Sequence, residues 1–410
     1  MTIARREFLK VVGGASVAGG LAGLGAGSQE AAAAARGFGF ADDHVPMNAA
    51  NLCPMPTVVT EAHARYAAAL DRSLSSATRQ GVEAFKETAR AKVAGLLGIS
   101  ADELAIVRNT SEANNVIVQG LPLGAGDEVV LWDQNHPSNL VAWEVQAARA
   151  GATVRRFSVP VETGSIDQAV DIFVNAVGDR TKVVSFTHIS NVTGFRTPVA
   201  EICAAVRARK DDIHIHVDGA QTWGAVDINL GSMECDSFSG SAHKWFMGPR
   251  EVGILYVRER HIDGIWPNIV SVPWGRTKDD APKGARRFDA YGQRDDAAIA
   301  SLFDAADFHD AITPAEIDNR SAMIANRLRA ALDDIGVSFV SSLKPDFTSS
   351  VIIVRAQPER AGELVDKVFE DAGVQGAAVG GFRLSPHIYN TPEHIDRVVA
   401  ALKANRALLA

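Results

Sequence analysis

The feature that most constrains the fold of this chain is a regular alternation of short β-branched runs with helix-length segments. Apolar runs of four to six residues recur between positions 104 and 257, and segments such as 139–150 and 199–210 separate them. Strands that alternate with helices predict a mostly parallel sheet covered by helices on both faces. The predicted strands are 104–107, 128–132, 153–157, 182–187, 213–217 and 253–257.

The pattern changes after Trp266. An irregular stretch rich in glycine, proline and charge extends to Arg287 and is followed by mixed helical and strand patterns. These patterns are a long helix over 296–332, a strand over 350–354, a helix over 361–372 and a closing helix after Pro392. We therefore predict a large domain over 36–270, whose N-terminal arm joins a smaller α+β domain over 271–410 that carries an entrance loop.

The first 35 residues have the order of a targeting signal. Adjacent Arg5 and Arg6 precede Phe-Leu-Lys, a weakly apolar stretch rich in glycine and alanine, and a zone of small residues. This order is typical of the bacterial twin-arginine signal, although an uncleaved anchor or a fortuitous arginine pair is the alternative. We expect export to the periplasm by the twin-arginine machinery, a cofactor inserted in the cytoplasm, and no stable membrane insertion after cleavage at a site that the sequence leaves open.

Charge and cysteine content exclude two classes of function. The net charge of -8 predicts repulsion from phosphate backbones, so we do not expect nucleic-acid binding. The three cysteines, Cys53, Cys203 and Cys235, share no CxxC spacing, so no metal site is predicted. At most one disulfide is possible, and the sequence does not decide whether it forms.

Two segments carry the clearest chemistry. The apolar run 213–217 ends at Asp218, and Lys244 lies 26 residues later in a Gly/Ser-rich stretch. A lysine in such a loop is usually solvated, but its pairing with a strand-end carboxylate changes that interpretation. Lysine amines form Schiff bases with carbonyl cofactors, and pyridoxal phosphate needs an acidic partner for its ring nitrogen. Gln221, Ser241 and His243 flank the two residues.

The order strand-Asp-Gly-Ala-Gln followed by Ser-x-His-Lys resembles the cofactor site of the class V aminotransferase family, within the fold type I enzymes. This resemblance implies an α/β fold with a mostly parallel, seven-stranded type of sheet and a smaller C-terminal domain. It also implies pyridoxal phosphate as cofactor, an amino acid or peptide as substrate, and a homodimer. Lys244 would carry the cofactor and remove the substrate α-proton, and Asp218 would hold the ring nitrogen protonated.

The resemblance assigns further residues across about positions 45 to 400. Thr110 and Ser111 open a helix where the family binds the cofactor phosphate, and His136 follows a strand where the family stacks a ring on the pyridine. Gln221, Ser241 and His243 join the cofactor site, and Asn191 matches the residue that contacts the 3-oxygen. Gln293 would reach the phosphate of the partner subunit. Arg383 would bind the substrate α-carboxylate, and Asn48 would also bind the substrate.

Departures from the family pattern bear on the reaction. Desulfurases carry a nucleophilic cysteine shortly before the carboxylate-binding arginine, and the corresponding stretch 371–381 contains none. A persulfide mechanism is therefore disfavoured. The stretch 292–295 reads Gly-Gln-Arg-Asp, which looks most like isopenicillin N epimerase-like members, with Gln293 in place of their threonine.

The sequence leaves the outcome at Cα open. Epimerisation is the leading hypothesis, with His136 as a possible second acid, and transamination or C–S elimination of the desulfurase or selenocysteine lyase type are alternatives. Export favours epimerase, lyase or peptide-tailoring chemistry, including periplasmic tailoring of a siderophore peptide, over repeated transamination. A non-catalytic exported binding protein is disfavoured because Lys244 and Asp218 are both present. The substrate itself is not predicted.

Overall fold

The computed structural model describes residues 37–410, so the predicted signal over 1–35 lies outside the described residues. The helices are α1 (Thr57–Arg72), α2 (Ser76–Leu96), α3 (Thr110–Gly120), α4 (Pro137–Ala150), α5 (Ile166–Ala176), α6 (Val199–Arg209), α7 (Leu230–Met233), α8 (Glu259–Ile262), α9 (Asp296–Ile312), α10 (Pro314–Asp334), α11 (Ala361–Ala372) and α12 (Pro392–Ala404). The strands are β1 (Val45–Pro46), β2 (Leu104–Val107), β3 (Glu128–Trp132), β4 (Thr153–Phe157), β5 (Thr181–Thr187), β6 (His214–Asp218), β7 (Ser237–Ser241), β8 (Gly253–Val257), β9 (Phe339–Val340), β10 (Ile352–Val354), β11 (Val374–Gln375), β12 (Ala377–Ala378) and β13 (Phe382–Leu384).

A seven-stranded sheet organises the large part of the molecule, in the order β2-β8-β7-β6-β5-β3-β4. Its strands pair in parallel except β8, which runs antiparallel to both β7 and β2. The predicted α/β fold with a mostly parallel sheet is therefore confirmed. All six predicted strands are present within one residue of their predicted limits, and β7 is an additional strand that the sequence pattern did not predict.

Apolar side chains cover both faces of this sheet. One core cluster includes Phe186 and Phe238, and a second cluster includes Leu131 of β3 and Trp143 of helix α4. Strands β6 and β7 are completely buried, as expected for central strands of a sheet covered on both sides. Burial of this kind fixes the strand ends rigidly, and those ends carry the polar residues of interest.

The C-terminal part contains a four-stranded antiparallel sheet, β12-β13-β10-β9, against which α10, α11 and α12 pack. The single long helix predicted over 296–332 is two helices, because Pro314 cannot continue a helix and Thr313 adopts a positive φ of 81°. The first of them, α9, packs against α1 and α2 and contributes Leu302 to the core of the large sheet. The domain limit at 270/271 remains a prediction.

The N-terminal segment runs beside the C-terminal part of the chain. Strand β1 pairs in parallel with β11, and the backbone N–H of Ser385 donates to Met47 O at 2.7 Å. Asn48 forms a bridge with Ser385, so it lies next to β13. Across residues 37–410, no helix is both long and apolar enough to cross a membrane.

Candidate active site

Polar side chains gather where the central parallel strands end. Asp218 is the last residue of β6, Ser241 is the last residue of the neighbouring β7, and Thr110 begins α3 three residues after β2. The carboxyl ends of strands in open α/β sheets are where ligands bind. The predicted residues of two distant motifs are thus brought to one edge of the sheet.

Asp218 is a buried carboxylate that is oriented by two donors. Only 2% of Asp218 is exposed to solvent. Asn114 Nδ2 donates to Oδ2 at 2.9 Å, and the backbone N–H of Ala220 donates to Oδ1 at 3.0 Å. Both donors stabilise negative charge, and each carboxylate oxygen keeps a lone pair for a further donor. The geometry suits a carboxylate that accepts a hydrogen bond from a protonated nitrogen of a ligand.

Lys244 follows β7 in a turn and shares its electrostatic environment with Asp218 and Arg383. Burial lowers the pKa of the Lys244 ammonium, the charge of Arg383 lowers it further, and Asp218 partly opposes this shift. A lysine with a lowered pKa has more of its amine in the neutral form, in which it can act as a nucleophile or a base. Within residues 37–410, Lys244 forms no ion pair.

Hydroxyl groups lie at the N-terminus of α3. Ser241 Oγ accepts a hydrogen bond from the backbone N–H of Thr110 at 2.8 Å and lies 2.7 Å from Thr110 Oγ1. Asn109 caps the helix by accepting from the backbone N–H of Glu112. Helix N-termini bind anions through their free N–H groups and dipole. Ser111 is exposed in this first turn, so the predicted phosphate residues lie together.

His136 caps the N-terminus of α4 and is exposed. Its Nδ1 accepts from the backbone N–H of Ser138 at 3.2 Å and lies 2.8 Å from Ser138 Oγ, so the proton of the neutral ring is on Nε2. Partial desolvation lowers the pKa of His136, as does the positive charge of Lys244, whereas Asp218 opposes the shift. His136 is therefore close enough to Lys244 and Asp218 for their charges to act on its pKa, and the lowered pKa favours the neutral ring at pH 7.

Arg383 is a buried guanidinium without a carboxylate partner among the described residues. It is 5% exposed, its Nη1 donates to Asn191 O at 3.4 Å, and its Nη2 donates to Asn48 Oδ1 at 3.3 Å. Its Nε has no hydrogen-bond partner there, and burial lowers the pKa of the group to about 10. A buried cation held only by neutral groups is prepared for an anionic ligand.

Two predicted cofactor residues have other partners within the chain, and a third is half-buried with a lowered pKa. Gln221 Nε2 donates to Ala50 O at 3.0 Å, and its Oε1 accepts from Trp245 Nε1 at 2.8 Å. Gln293 is exposed, and its side chain bonds to residues outside the site, including Arg79 at 3.0 Å. His243 is half-buried, and burial followed by the charge of Lys244 lowers its pKa to about 4. Whether any of the three contacts a cofactor stays a prediction.

Asn114 is the site residue that the sequence analysis missed. It lies four residues after Thr110 on α3, so both side chains project from the same helix face toward the strand ends. The available signal was an asparagine three and four residues before the apolar Ile117 and Val118, on one helix face, where Asn is unfavourable unless its amide has buried partners.

All three thiols are buried and unreactive. Burial raises the pKa of Cys53 and of Cys235 to about 12, and it raises the pKa of Cys203 well above its ordinary value. Cys53 Sγ lies 3.4 Å from Tyr389 Oη. Because the thiolate is the reactive form, none of these residues has the environment of a cysteine nucleophile.

A second polar cluster lies at the opposite edge of the sheet. His214, Asp236 and His261 place their nitrogen and oxygen atoms within 4.8 Å of one another. Asp236 already pairs with Arg207 at 3.0 Å and with Arg260 at 2.8 Å. Burial raises the pKa of this carboxyl, but the hydrogen bond with His261 and nearby positive charge outweigh that effect and hold it well below its usual range. The arrangement is that of a paired carboxylate.

Comparison with known proteins decides the family. The aminotransferase class V model matches residues 52–398. The chain belongs to the aminotransferase class V family. Isopenicillin N epimerase of Streptomyces clavuligerus is 28% identical over 377 residues, covering 88% of this chain and 94% of the relative. The enzyme of the same name from Amycolatopsis lactamdurans is 31% identical over 337 residues, covering 77% and 84%.

Desulfurases are similar as well. Cysteine desulfurase of Enterobacter sp. (strain 638) is 30% identical over 369 residues, covering 83% of this chain and 87% of the relative. Among solved structures, cysteine desulfurase CsdA of Escherichia coli has a TM-score of 0.81 at 22% identity, covering 93% of this chain and 99% of that chain. The cystine C-S lyase C-DES in complex with cysteine persulfide has a TM-score of 0.79 at 25% identity, covering 88% and 97%.

Family membership confirms the predictions of an enzyme and of pyridoxal phosphate as its cofactor. The residues of this chain fit that cofactor. Asp218 offers an oriented carboxylate for the ring nitrogen, the N-terminus of α3 with Thr110 and Ser241 offers donors for the phosphate, and Lys244 offers an amine for the carbonyl carbon. When bound, pyridoxal phosphate supplies an electron sink for negative charge that develops at the substrate Cα.

Proposed function

We propose that this protein is a pyridoxal phosphate enzyme that epimerises the Cα of an amino acid or of an amino-acid-containing peptide. The observation that carries the proposal is the combination of a lysine amine with a lowered pKa, Lys244, and a buried guanidinium without a carboxylate partner, Arg383. The first suits a base for the α-proton, and the second suits the α-carboxylate of the substrate.

Each group of the chain has a defined task in this reaction. Arg383 and Asn48 bind and orient the substrate carboxylate, and burial of the guanidinium strengthens that attraction by excluding water. Lys244 Nζ removes the proton from the substrate Cα. Asp218 would hold the ring nitrogen of the cofactor in its protonated form. Asn114 stabilises the Asp218 carboxylate by donating a hydrogen bond to it. His136 is the candidate to return a proton from the opposite face, and it would do so from its imidazolium form, whose acidity the lowered pKa increases.

The environment of the thiols favours this chemistry over persulfide formation. Stretch 371–381 has no cysteine, and Cys53, Cys203 and Cys235 are all buried with raised pKa values. A C–S lyase needs no cysteine nucleophile and therefore remains the second candidate, supported by the similarity to the cystine C-S lyase fold.

Exchange of the α-hydrogen in deuterium oxide tests the proposal and separates its alternatives. The purified, cofactor-loaded enzyme is incubated with single amino acids and with small-peptide pools, and products are read by mass and chiral chromatography. We expect deuterium at Cα together with the opposite enantiomer or diastereomer in at least one pool. Release of a keto acid with ammonia or sulfide and without a racemised product would replace epimerisation with elimination.

We propose further that the mature enzyme works in the periplasm as a homodimer. The arginine pair at positions 5 and 6 supports twin-arginine export, and the family resemblance supports a partner contact through Gln293. A fusion of residues 1–36 to a reporter that is active only after folded export tests the first point, with Arg5→Lys plus Arg6→Lys as its control. The mass in solution tests the second point.

A further inference from the structure

Behind Asp218 lies a chain of buried hydrogen bonds that joins helix α3 to strands β6 and β7. Asn114 Oδ1 lies 2.9 Å from His216 Nε2 and accepts from Ser239 Oγ at 2.6 Å. On its other side, His216 Nδ1 lies 2.8 Å from Ser237 Oγ. Asn114, His216, Ser237 and Ser239 are all fully buried, so no water completes or replaces these bonds at the surface.

The carboxylate at one end fixes the direction of every bond. An ionised Asp218 only accepts, so Asn114 must present its amide nitrogen to Asp218 and its oxygen to His216. An amide oxygen cannot donate, so His216 carries its proton on Nε2. Its ring is neutral, because burial lowers its pKa to about 3, and Nδ1 therefore accepts from the Ser237 hydroxyl.

The chain of hydrogen bonds then ends at a ring nitrogen that has no partner among residues 37–410. Because Ser237 donates to His216, its oxygen accepts from His214 Nε2, which lies 2.9 Å away. His214 Nδ1 is left without a hydrogen-bond partner within the described part of the chain. Its ring is neutral as well, since burial lowers its pKa to about 4. The bond directions are thus consistent from Asp218 to the last ring.

We propose that His216 and Ser239 are positioning residues that set the amide orientation of Asn114 and thereby keep a donor on Asp218. Both donate to the Asn114 oxygen, so a flipped amide would lose two bonds and would place its oxygen against the carboxylate. This inference rests on the proposed role of Asp218, and it extends that role to residues that do not touch the ligand.

Nitrogen-15 NMR of histidine-labelled, cofactor-free protein measures the tautomer of His216 directly. We expect the neutral form with the proton on Nε2, assigned by the loss of its signals in His216→Gln. A proton on Nδ1, or a doubly protonated ring at pH 7, would overturn the proposal. This readout needs no cofactor, so it stands even where the wild-type protein fails to bind pyridoxal phosphate and the proposed function itself fails.

Substitutions then test the positioning role in the loaded enzyme. His216→Leu removes one donor to the Asn114 oxygen. We expect it to lower kcat by about 10- to 100-fold, the range of the charge-assisted hydrogen bond from Asn114 to Asp218 that a reoriented amide would lose, and to change the visible spectrum of the bound cofactor. His216→Gln retains a side-chain N–H and is expected to restore most of the spectrum and of kcat. Equal defects in the two variants would overturn the proposal.

Asn139→Leu is the matched control for Asn114→Leu. Both asparagines are completely buried on helices of the same sheet, but Asn139 pairs with Ser185 Oγ at 3.3 Å rather than with the network. We expect both substitutions to lower stability and only Asn114→Leu to change the cofactor spectrum. Ser239→Ala, a smaller change, replaces Asn114→Leu where that variant does not fold, and an unchanged spectrum in it would contradict the proposal.

Discussion

The two edges of the central sheet both bury charged groups, but they treat them in opposite ways. At one edge, Asp236 forms ion pairs with Arg207 and Arg260 and a hydrogen bond with His261, all at 2.8 to 3.0 Å. At the other edge, the half-buried Lys244 and the buried Arg383 have no ion pairs among residues 37–410, and desolvation lowers the pKa of each. The first edge is complete within the chain, whereas the second requires a ligand to balance its charge.

The largest effect is expected from removing the unpaired lysine. Lys244→Ala should lower turnover by at least about 10²- to 10⁴-fold, because the general base and the amine that binds the cofactor are lost together. Turnover and borohydride labelling of the Lys244 peptide measure this change. Lys182→Ala, which removes an exposed lysine paired with Asp212, is the control and should leave both unchanged. An active Lys244→Ala enzyme would remove the distinction between the two edges.

Breaking the paired edge should reduce stability and spare turnover. Asp236→Asn leaves the partly buried Arg207 and the half-exposed Arg260 without their common carboxylate partner. The free energy of unfolding should therefore fall by about 3 kcal/mol, at the low end of the range for a buried pair because of this exposure. Denaturant unfolding measures it, with the exposed Asp212→Asn as control. A loss of turnover in the folded variant would show that this edge also serves the reaction.

The same carboxyl predicts a pH dependence of stability. The pKa of Asp236 is lowered in the folded protein, so its stabilising contribution is complete above the unfolded-state pKa near 3.8 and is lost as the pH falls below that value. Asp236→Asn should therefore flatten the acid limb of the stability profile. An unchanged acid limb would mean that other carboxylates dominate acid unfolding.

Removing the unpaired arginine should weaken substrate recognition specifically. Arg383→Ala should lower kcat/KM for substrates with a free α-carboxylate by about 100-fold, or about 3 kcal/mol. Arg329→Ala is a close control, because Arg329 is also buried and its pKa is likewise lowered to about 10, yet its guanidinium bonds to Asn326, Ser341 and Ser349 and to no residue that is predicted to bind the substrate. Equal losses of kcat/KM in both variants would indicate a general structural effect.

The smallest effect is expected from the thiols. Replacing Cys53, Cys203 and Cys235 together with serine should cost about 1 kcal/mol of stability at each buried site and leave turnover largely intact. Turnover per cofactor-loaded subunit measures this prediction. A folded, loaded and inactive triple variant would bring back a thiol mechanism.

Much of the scaffold could be predicted because its strands are rich in β-branched residues. Strands β2, β3, β4 and β8 match their predicted limits, and helix α11 does so as well. Strand β7 was missed because its sequence, Ser-Phe-Ser-Gly-Ser, has low strand propensity, and only burial between β6 and β8 makes it a strand. The break at Thr313 was missed because the apolar periodicity continues across Pro314.

The site was predictable only in part, for a similar reason. Asp218 ends an apolar strand, whereas Lys244 and Arg383 stand in short local motifs, Ser-x-His-Lys and Arg-Leu-Ser, so all three are visible in the chain. The partners of Asp218 are not, because the contact between Asn114 and Asp218 joins residues 104 positions apart. Such contacts depend on which strands become neighbours, and local sequence does not specify this.

The pairing of β1 with β11 also bears on when the enzyme becomes complete during synthesis. Asn48 emerges early from the ribosome, but its hydrogen-bond partner Arg383 lies 335 residues later. The large sheet can form beforehand, because its strands end at Val257. The carboxylate pocket cannot form at that stage, because Arg383 lies on the last strand, β13, and leaves the ribosome only near the end of synthesis. A nascent chain therefore has its scaffold long before it can recognise a substrate.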